Sequence, residues 1–101
     1  MSMNERKDIR DIFKKNLRYY RLENKMTQED LATKAELTDK YISDLERGLF
    51  SPSLEKLDIL AESLNIETYK LLKDEHENIK LPNRLDKITK RRKSKKNLNN
   101  N

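Results

Sequence analysis

The sequence contains no cysteine, one glycine and two prolines. Without cysteine, neither a disulfide framework nor a thiolate metal site can hold a small fold together, so its stability must come from helix packing. The few chain breakers and the near absence of alternating apolar and polar residues predict an all-α protein. No apolar run approaches the roughly 18 residues needed to cross a bilayer, and residues 1–10 lack the apolar core of a signal peptide. We therefore expect a cytoplasmic protein.

Apolar residues are also scarce, at 34% of the 101 residues, which is enough for one small core and leaves part of the chain unpacked. Charge is divided unevenly along the sequence. Residues 80–101 hold nine Lys or Arg and one Asp, a net charge of +8, whereas residues 1–79 hold 14 basic and 17 acidic side chains, a net charge of −3. Attraction to phosphate depends on where the cations lie, so the total charge is not evidence that the folded part binds nucleic acid.

The spacing of apolar residues predicts five helices, of which the first runs from about Asp8 to Glu23. Its apolar stripe consists of Ile9, Phe13, Leu17 and Tyr20. A second helix, Gln28–Ala35, follows Thr27, which forms a capping-box pattern with Asp30.

The third helix is expected from Asp39 to about Arg47, after an N-cap at Thr38 and with Ile42 and Leu45 facing inward. Gly48 then ends this helix in a left-handed conformation. A fourth helix opens at Ser51-Pro52-Ser53, and its apolar stripe is Leu54, Leu57, Leu60, Ala61 and Leu64. A short fifth helix, about Thr68 to Leu72, returns Leu71 and Leu72 to the bundle.

Two helices of about eight residues joined by a three-residue break form the layout of a helix-turn-helix. Within it stand Met26-Thr27-Gln28-Glu29-Asp30-Leu31-Ala32, Tyr41-Ile42-Ser43-Asp44-Leu45-Glu46-Arg47-Gly48 and Pro52-Ser53-Leu54. These residues resemble the Cro and phage-repressor (XRE) family, and the resemblance extends from about Phe13 to Leu72. It implies a five-helix, lambda-repressor-like DNA-binding domain of a bacterial or mobile-element regulator.

The resemblance also implies site residues. Gln28 would contact phosphate or a base edge, and the groove-facing side of the third helix would present Thr38, Asp39, Lys40, Tyr41, Ser43, Asp44 and Arg47. Positions 39, 40, 43, 44 and 47 do recur at helical spacing on one polar face. Arg21 and Glu46 match a salt-bridge pair that orients the recognition helix in related repressors. A dimer interface is expected at Ile59, Ile66, Tyr69 and Leu72.

Three departures from the family pattern bear on the site. Glu36 stands where the turn usually has glycine, so it must accept a left-handed conformation or bend the turn differently. Leu49 and Phe50 are expected in an exposed loop, which suggests a protein surface there. Asp39 and Asp44 would repel phosphate, but a carboxylate can accept a hydrogen bond from cytosine N4 and so read a base.

Residues 1–10 are expected to flank the domain, residues 11–73 to form it with the motif at about 28–47, and residues 74–101 to form a basic extension. Within that extension we expect a short helix at 82–92 and an otherwise largely flexible chain. His76, the sole histidine, is expected to be exposed. No catalytic constellation, metal site or cofactor motif is recognisable, so we expect no enzyme.

The favoured hypothesis is a transcriptional regulator, a repressor that binds double-stranded DNA as a homodimer on a pseudo-palindromic operator. An alternative is an antitoxin or another protein-interaction module whose segment 74–101 binds a partner. A third, weaker hypothesis is an RNA-binding accessory protein, although the sequence lacks the usual exposed aromatic pair for stacking bases.

The basic extension gives a first prediction. Truncation after Asn78 removes the +8 segment. If that segment lies on DNA, the dependence of log affinity on log salt should flatten by about 0.9 for each phosphate that the truncated protein no longer neutralises. Because such binding ignores sequence, non-specific binding should weaken as much as specific binding, and the preferred sequence should not change.

Fluorescence anisotropy over a salt series measures the slope of log affinity against log salt for the full-length and the truncated protein. An unchanged slope in the truncated protein would assign the extension to solubility or to a protein partner. A shift in the monomer–dimer equilibrium would instead identify Leu81, Leu85 and Ile88 as a second dimer contact.

Overall fold

The computed structural model describes residues 7–76, which contain four α-helices, one terminal 3-10 helix and no strand. Their bounds are α1 Ile9–Glu23, α2 Gln28–Ala35, α3 Asp39–Glu46, α4 Leu54–Ser63 and the 3-10 helix Thr68–Leu71. The predicted all-α architecture is confirmed. Residues 77–101 of the basic extension, with the helix expected at 82–92, lie outside the described residues, as do residues 1–6.

Each α-helix begins at a side-chain cap. Asp8, Thr27, Thr38 and Ser53 each accept a hydrogen bond from a backbone N–H in the first turn that follows. Thr27 and Asp30 form the predicted capping box, with both reciprocal bonds at 2.9 Å. Each such cap contributes about 1 kcal/mol to helix stability. The starts of α2, α3 and α4 are therefore dictated locally by Thr or Ser at the right place.

Left-handed residues follow the helix ends. Lys25, Glu36, Gly48 and Asn65 have φ values of 58°, 60°, 75° and 62°. The predicted left-handed Gly48 is confirmed, and Glu36 takes the left-handed conformation in place of the glycine that the turn usually carries. The conformation turns the chain sharply, and the next amide, that of Leu37, donates to the Ala32 carbonyl at 2.8 Å.

The core lies where α1 crosses α3 and the 3-10 helix, and where α2 packs on α3 and α4. Its buried apolar residues are Phe13, Leu17, Leu31, Ala32, Ala35, Ile42, Leu45, Leu57, Leu60, Ala61, Leu64 and Leu71. The predicted stripe on α4 was wrong at its first position, because Leu54 is 78% exposed. Leu54 begins α4, and that first residue lies beyond the end of the core. None of the described helices is long and apolar enough to cross a membrane.

The fifth element is a single 3-10 turn and not an α-helix. It spans four residues, and its N-cap Glu67 makes no side-chain capping bond. So short a segment forms the tighter 3-10 hydrogen bonds readily. Leu71 is fully buried, but Leu72 is exposed, so only one of the two predicted leucines joins the core.

Two side chains expected to be exposed are instead packed. His76 stacks on the Tyr19 ring, with centroids 3.8 Å apart, and its Nε2 lies 3.1 Å from the Tyr20 hydroxyl. Phe50 packs against the core, with its ring 5.4 Å from that of Tyr41. Each ring packs on an aromatic side chain of a helix, Tyr19 of α1 for His76 and Tyr41 of α3 for Phe50. The polarity of the neighbouring residues in the sequence did not indicate these contacts. Leu49 is exposed, as predicted.

A buried polar side chain ties the end of the described chain to α1. Asn16 Nδ2 donates to the carbonyls of Leu71 and Lys73, both at 2.9 Å. Burial is the main cause of a raised pKa at Tyr20, and the negative charge of the nearby Glu75 carboxylate adds to it. The Tyr20 hydroxyl therefore stays protonated beside His76. The segment after the 3-10 helix is thereby held along α1.

The orientation of α3 is fixed by a buried ion pair. Arg21 Nε donates to Glu46 Oε2 at 2.6 Å, and Nη2 donates to Oε1 at 2.9 Å. The Arg21 side chain is 0% exposed and that of Glu46 is 4% exposed. Arg21 Nη1 also donates to the Met26 carbonyl at 2.9 Å. One guanidinium thus joins α1, the α1–α2 loop and the end of α3.

The backbone at Glu36 gives a stability prediction. Replacing Glu36 with Gly should raise the free energy of unfolding by about 1 kcal/mol, because glycine adopts the left-handed conformation without a Cβ clash. Urea denaturation measures the change. Glu36→Ala is the matched control, since it removes the carboxylate and keeps the Cβ. An equal gain in both variants would show that charge, and not backbone strain, is responsible.

The buried pair gives a second stability prediction. Arg21→Met should lower the free energy of unfolding by about 3–5 kcal/mol, because the Glu46 carboxylate is left buried without its cation. The double variant Arg21→Met/Glu46→Met should recover much of that loss. Thermal and urea unfolding measure both variants.

The exposed pair between Asp11 and Lys14, at 3.6 Å, provides the control. Asp11→Asn should change stability by only about 0–1 kcal/mol. A comparably small effect of Arg21→Met would show that the buried pair does not hold the fold.

Candidate nucleic-acid interface

The candidate interface is formed by α2 and α3, which are joined by residues 36–38 and packed on each other. Ile42 and Leu45 turn one side of α3 into the core. The opposite side faces solvent, and its first turn carries Thr38, Asp39 and Lys40, all exposed. A short helix is thus presented with one polar side outward and its N-terminal turn free of other elements.

Thr38 and Ser43 are the uncharged members of this polar side. Thr38 Oγ1 accepts from the Tyr41 amide at 3.0 Å, which leaves its hydroxyl hydrogen to donate elsewhere. Ser43 is half-buried. Both hydroxyls lie on a helix whose start and orientation are fixed by other bonds, so their positions are defined by the backbone.

The charged residues of α3 form a cluster around Asp44. Its carboxylate accepts from Lys40 Nζ at 3.0 Å and from Arg47 Nη1 at 3.4 Å. The Asp44 side chain is 12% exposed, whereas those of Lys40 and Arg47 are 82% and 65% exposed. The structure therefore brings these three predicted residues together, with the cations outermost and the anion beneath them.

Tyr41 differs from the other residues predicted for the DNA-facing side. It is half-buried against the core and the Phe50 ring, and Lys56 Nζ lies 6.0 Å from its ring centroid. Burial raises the pKa of Tyr41, so the phenol remains a neutral donor at physiological pH. Its ring supports the loop after α3.

Gln28 opens α2 and is tied to the buried ion pair. Its Nε2 donates to Glu46 Oε1 at 3.1 Å, so Glu46 receives bonds from both α1 and α2. The side chain remains partly exposed at the N-terminus of α2. A phosphate contact by this amide would compete with the bond to Glu46.

Lys14 was not identified from the sequence as part of this region. It lies on α1, yet a Cβ built on Gly48 would be 3.1 Å from Lys14 Cδ. Lys14 therefore sits beside the end of α3, close to the residue that follows Arg47. Nothing in its local sequence distinguishes it from other surface lysines, because the contact arises only when α1 crosses α3.

The predicted dimer residues lie on α4, on the 3-10 helix and beside these two elements. Ile59 on α4, Tyr69 in the 3-10 helix and Leu72 after it are exposed large apolar side chains. Ile66 is partly buried against the core between these two elements. The two elements that carry Ile59 and Tyr69, α4 and the 3-10 helix, pack on each other.

The chain matches the HTH_3 family of helix-turn-helix domains over residues 17–71. It is 40% identical over 55 residues to the immunity repressor protein of Bacillus phage phi105, covering 54% of this chain and 38% of that repressor. It is 42% identical over 65 residues to the control protein C.SmaI of Serratia marcescens, covering 64% of this chain and 77% of that protein.

Similarity to the Neisseria hypothetical transcription factor of Neisseria meningitidis serogroup B reaches 30% identity over 77 residues, 76% of this chain and 73% of that factor. The solved structure of the hypothetical transcription factor NHTF from Neisseria has a TM-score of 0.66 at 31% identity, covering 74% of this chain and 86% of that one. The family match at residues 17–71 includes both helices of the motif, α4 and the second half of α1. The chain belongs to the XRE-type helix-turn-helix family.

Proposed function

We propose that this protein is a transcriptional regulator that binds double-stranded DNA sequence-specifically and acts as a repressor. In this proposal it works as a homodimer on a pseudo-palindromic operator. The relatives support the regulatory role, since one is named an immunity repressor and two are named control proteins.

The observation that carries the proposal is the exposed first turn of α3 on a rigidly held helix. In helix-turn-helix proteins, the N-terminal residues of the second helix reach base edges in the major groove, while the first helix crosses the backbone. Here Thr38, Asp39 and Lys40 occupy that turn, and the Arg21–Glu46 pair fixes the angle of α3 to α1. The proposed DNA-contact surface is Gln28, Thr38, Asp39, Lys40, Tyr41, Ser43, Asp44 and Arg47.

The side chains on this surface suit different parts of DNA. Lys40 and Arg47 are the exposed cations of α3 and can donate to guanine O6 and N7 or to phosphate. Gln28 stands at the N-terminus of α2, where backbone amides favour an anion such as phosphate. The surface therefore combines backbone-positioning groups with base-reading groups.

Dimerisation follows from the size of the reading element. A helix of eight residues spans about 12 Å and reads only a few base pairs, too few for a unique site. A second copy doubles the sequence that is read. The exposure of the apolar side chains of Ile59, Tyr69 and Leu72, with Ile66 partly buried, supports a contact with that second copy at these residues.

Selection of bound sequences from random duplex DNA by the purified protein tests the proposal. We expect one enriched motif made of two symmetric half-sites, spaced by about 10–10.5 base pairs or a multiple of that spacing. Failure to enrich any motif would refute sequence-specific binding. Enrichment of single asymmetric sites would refute the dimer.

A Lys40→Ala variant carried through the same selection is the residue-level control. If Lys40 faces a base edge, the variant should lose preference at particular positions of each half-site, by about 1–3 kcal/mol where a good hydrogen bond to a base is removed. A uniform loss across all sequences would show that Lys40 contacts only the backbone.

A further inference from the structure

We infer that Asp44 is a positioning residue that sets specificity by holding Lys40 and Arg47 away from indiscriminate phosphate contact and aiming them at guanine edges. The inference rests on the proposed function, because it concerns the same surface. It assigns to Asp44 a role exerted through its two neighbours and not through a direct base contact.

The geometry places one carboxylate between Lys40, in the first turn of α3, and Arg47, which directly follows its last residue. Asp44 Oδ2 lies 3.0 Å from Lys40 Nζ, and Oδ1 lies 3.4 Å from Arg47 Nη1. The two oxygens thus serve different cations. Because the Asp44 side chain is 12% exposed, solvent and ligands meet the cations first.

The donor inventory of the cations makes this arrangement selective. A lysine ammonium has three N–H donors, of which Asp44 engages one and leaves two. Guanine presents two acceptors, O6 and N7, side by side in the major groove. Lys40 can therefore satisfy a guanine edge without leaving Asp44, and Arg47 likewise keeps free donors.

Phosphate contact is affected differently. A non-specific complex depends on the full positive charge of Lys and Arg near the backbone. The negative charge of the Asp44 carboxylate offsets the positive charge of Lys40 and Arg47. A phosphate that approaches these two side chains must compete with Asp44 for their N–H donors. Asp44 therefore weakens sequence-independent attraction more than it weakens contact with a matched base edge.

A direct role for Asp44 in reading cytosine N4 fits the structure less well. Both carboxylate oxygens already accept from cations, and little of the side chain reaches the surface. The exposed carboxylate on this helix is Asp39, in its first turn. Asp44 is therefore nearly buried and Asp39 is exposed, a difference that their helical spacing in the sequence does not indicate.

The test compares Asp44→Asn, Asp44→Glu and the full-length unmodified protein on random-sequence duplex DNA over a salt series. Asn keeps the shape of Asp and removes the charge. We expect Asp44→Asn to bind random DNA about fivefold more tightly at low salt, the effect of one unit charge at about 4 Å in water. Its salt slope should steepen by about 0.9 for each additional phosphate that the variant neutralises.

Repeating the sequence selection gives the second readout. The Asp44→Asn protein should enrich guanines of the half-site less strongly, and Asp44→Glu, which restores the charge, should regain part of that enrichment. The matched control is Glu55→Gln, which removes one charge from the exposed first turn of α4. Its effect on random-DNA affinity should be smaller, with the selected motif unchanged.

Two outcomes would overturn the inference. Unchanged affinity and slope of Asp44→Asn on random DNA would show that the carboxylate does not restrain the cations. Loss of preference at a cytosine alone, without any increase in non-specific binding, would make Asp44 a direct reader. Circular dichroism and thermal unfolding of Asp44→Asn should match those of the unmodified protein, which assigns any tighter binding to the folded domain and not to an unfolded cationic chain.

Failure of this inference is distinguishable from failure of the proposed function. The random-DNA arm needs no operator, so it decides whether Asp44 restrains phosphate contact even if the unmodified protein enriches no motif. Conversely, a clear motif for the unmodified protein together with an unaltered Asp44→Asn variant would leave the regulator proposal standing and remove the inference.

Discussion

The buried bond between Arg21 and Glu46 is the constraint on which the geometry of the site depends. A fully buried guanidinium needs its charge compensated and its donors satisfied, and here Glu46 and the Met26 carbonyl do both. Gln28 adds a further bond to the same carboxylate. The end of α3, the start of α2 and the body of α1 consequently meet at one polar point inside an apolar core. An apolar contact could be repacked at several angles, whereas this bidentate pair is satisfied at few.

With α3 fixed in this way, two kinds of side chain stand out on the described surface of the domain. The outward side of α3 carries a charge cluster whose anion lies beneath its cations. The surface of α4 and the 3-10 helix carries exposed apolar side chains instead. Because the first 79 residues have a net charge of −3, the position of each cation matters more than the total. Phe50, by packing on Tyr41, holds the loop that links the two surfaces.

The local features of the fold were predictable because local chemistry determines them. The caps at Thr27 and Thr38 and the left-handed Gly48 follow from residues within one turn, and α2 has the predicted bounds. Features that depend on distant contacts were not predictable. His76 and Phe50 looked exposed because their aromatic partners are far away in sequence or on another element. Leu54 fits the periodicity of α4, but periodicity does not show where the core ends.

The same distinction holds within the candidate site. Helical spacing placed Lys40, Asp44 and Arg47 on one face, yet it could not show that the carboxylate lies beneath the cations. The depth of a side chain depends on which neighbours lean over it, and that is decided by packing. Lys14 is a second example, because it lies beside Gly48 only where α1 crosses α3.

A carboxylate that weakens phosphate attraction would be a disadvantage in a monomeric DNA-binding protein, because backbone contacts supply much of the affinity. In a homodimer the balance changes. Any factor by which Asp44 reduces non-specific affinity applies once per subunit, so about fivefold in each becomes about 25-fold in the pair. Specific regulators bind their operators about 10³–10⁷ times more tightly than random DNA, and a genome offers a great excess of random sites. The second subunit adds its own operator contacts, which would compensate for the phosphate affinity that Asp44 removes. The discrimination between operator and random DNA would be the product of the factors from the two subunits. If the domain binds as a pair, as proposed above, the inferred role of Asp44 gains this multiplied discrimination, and the charge cluster of α3 would then depend on the dimer contact proposed at α4 and the 3-10 helix.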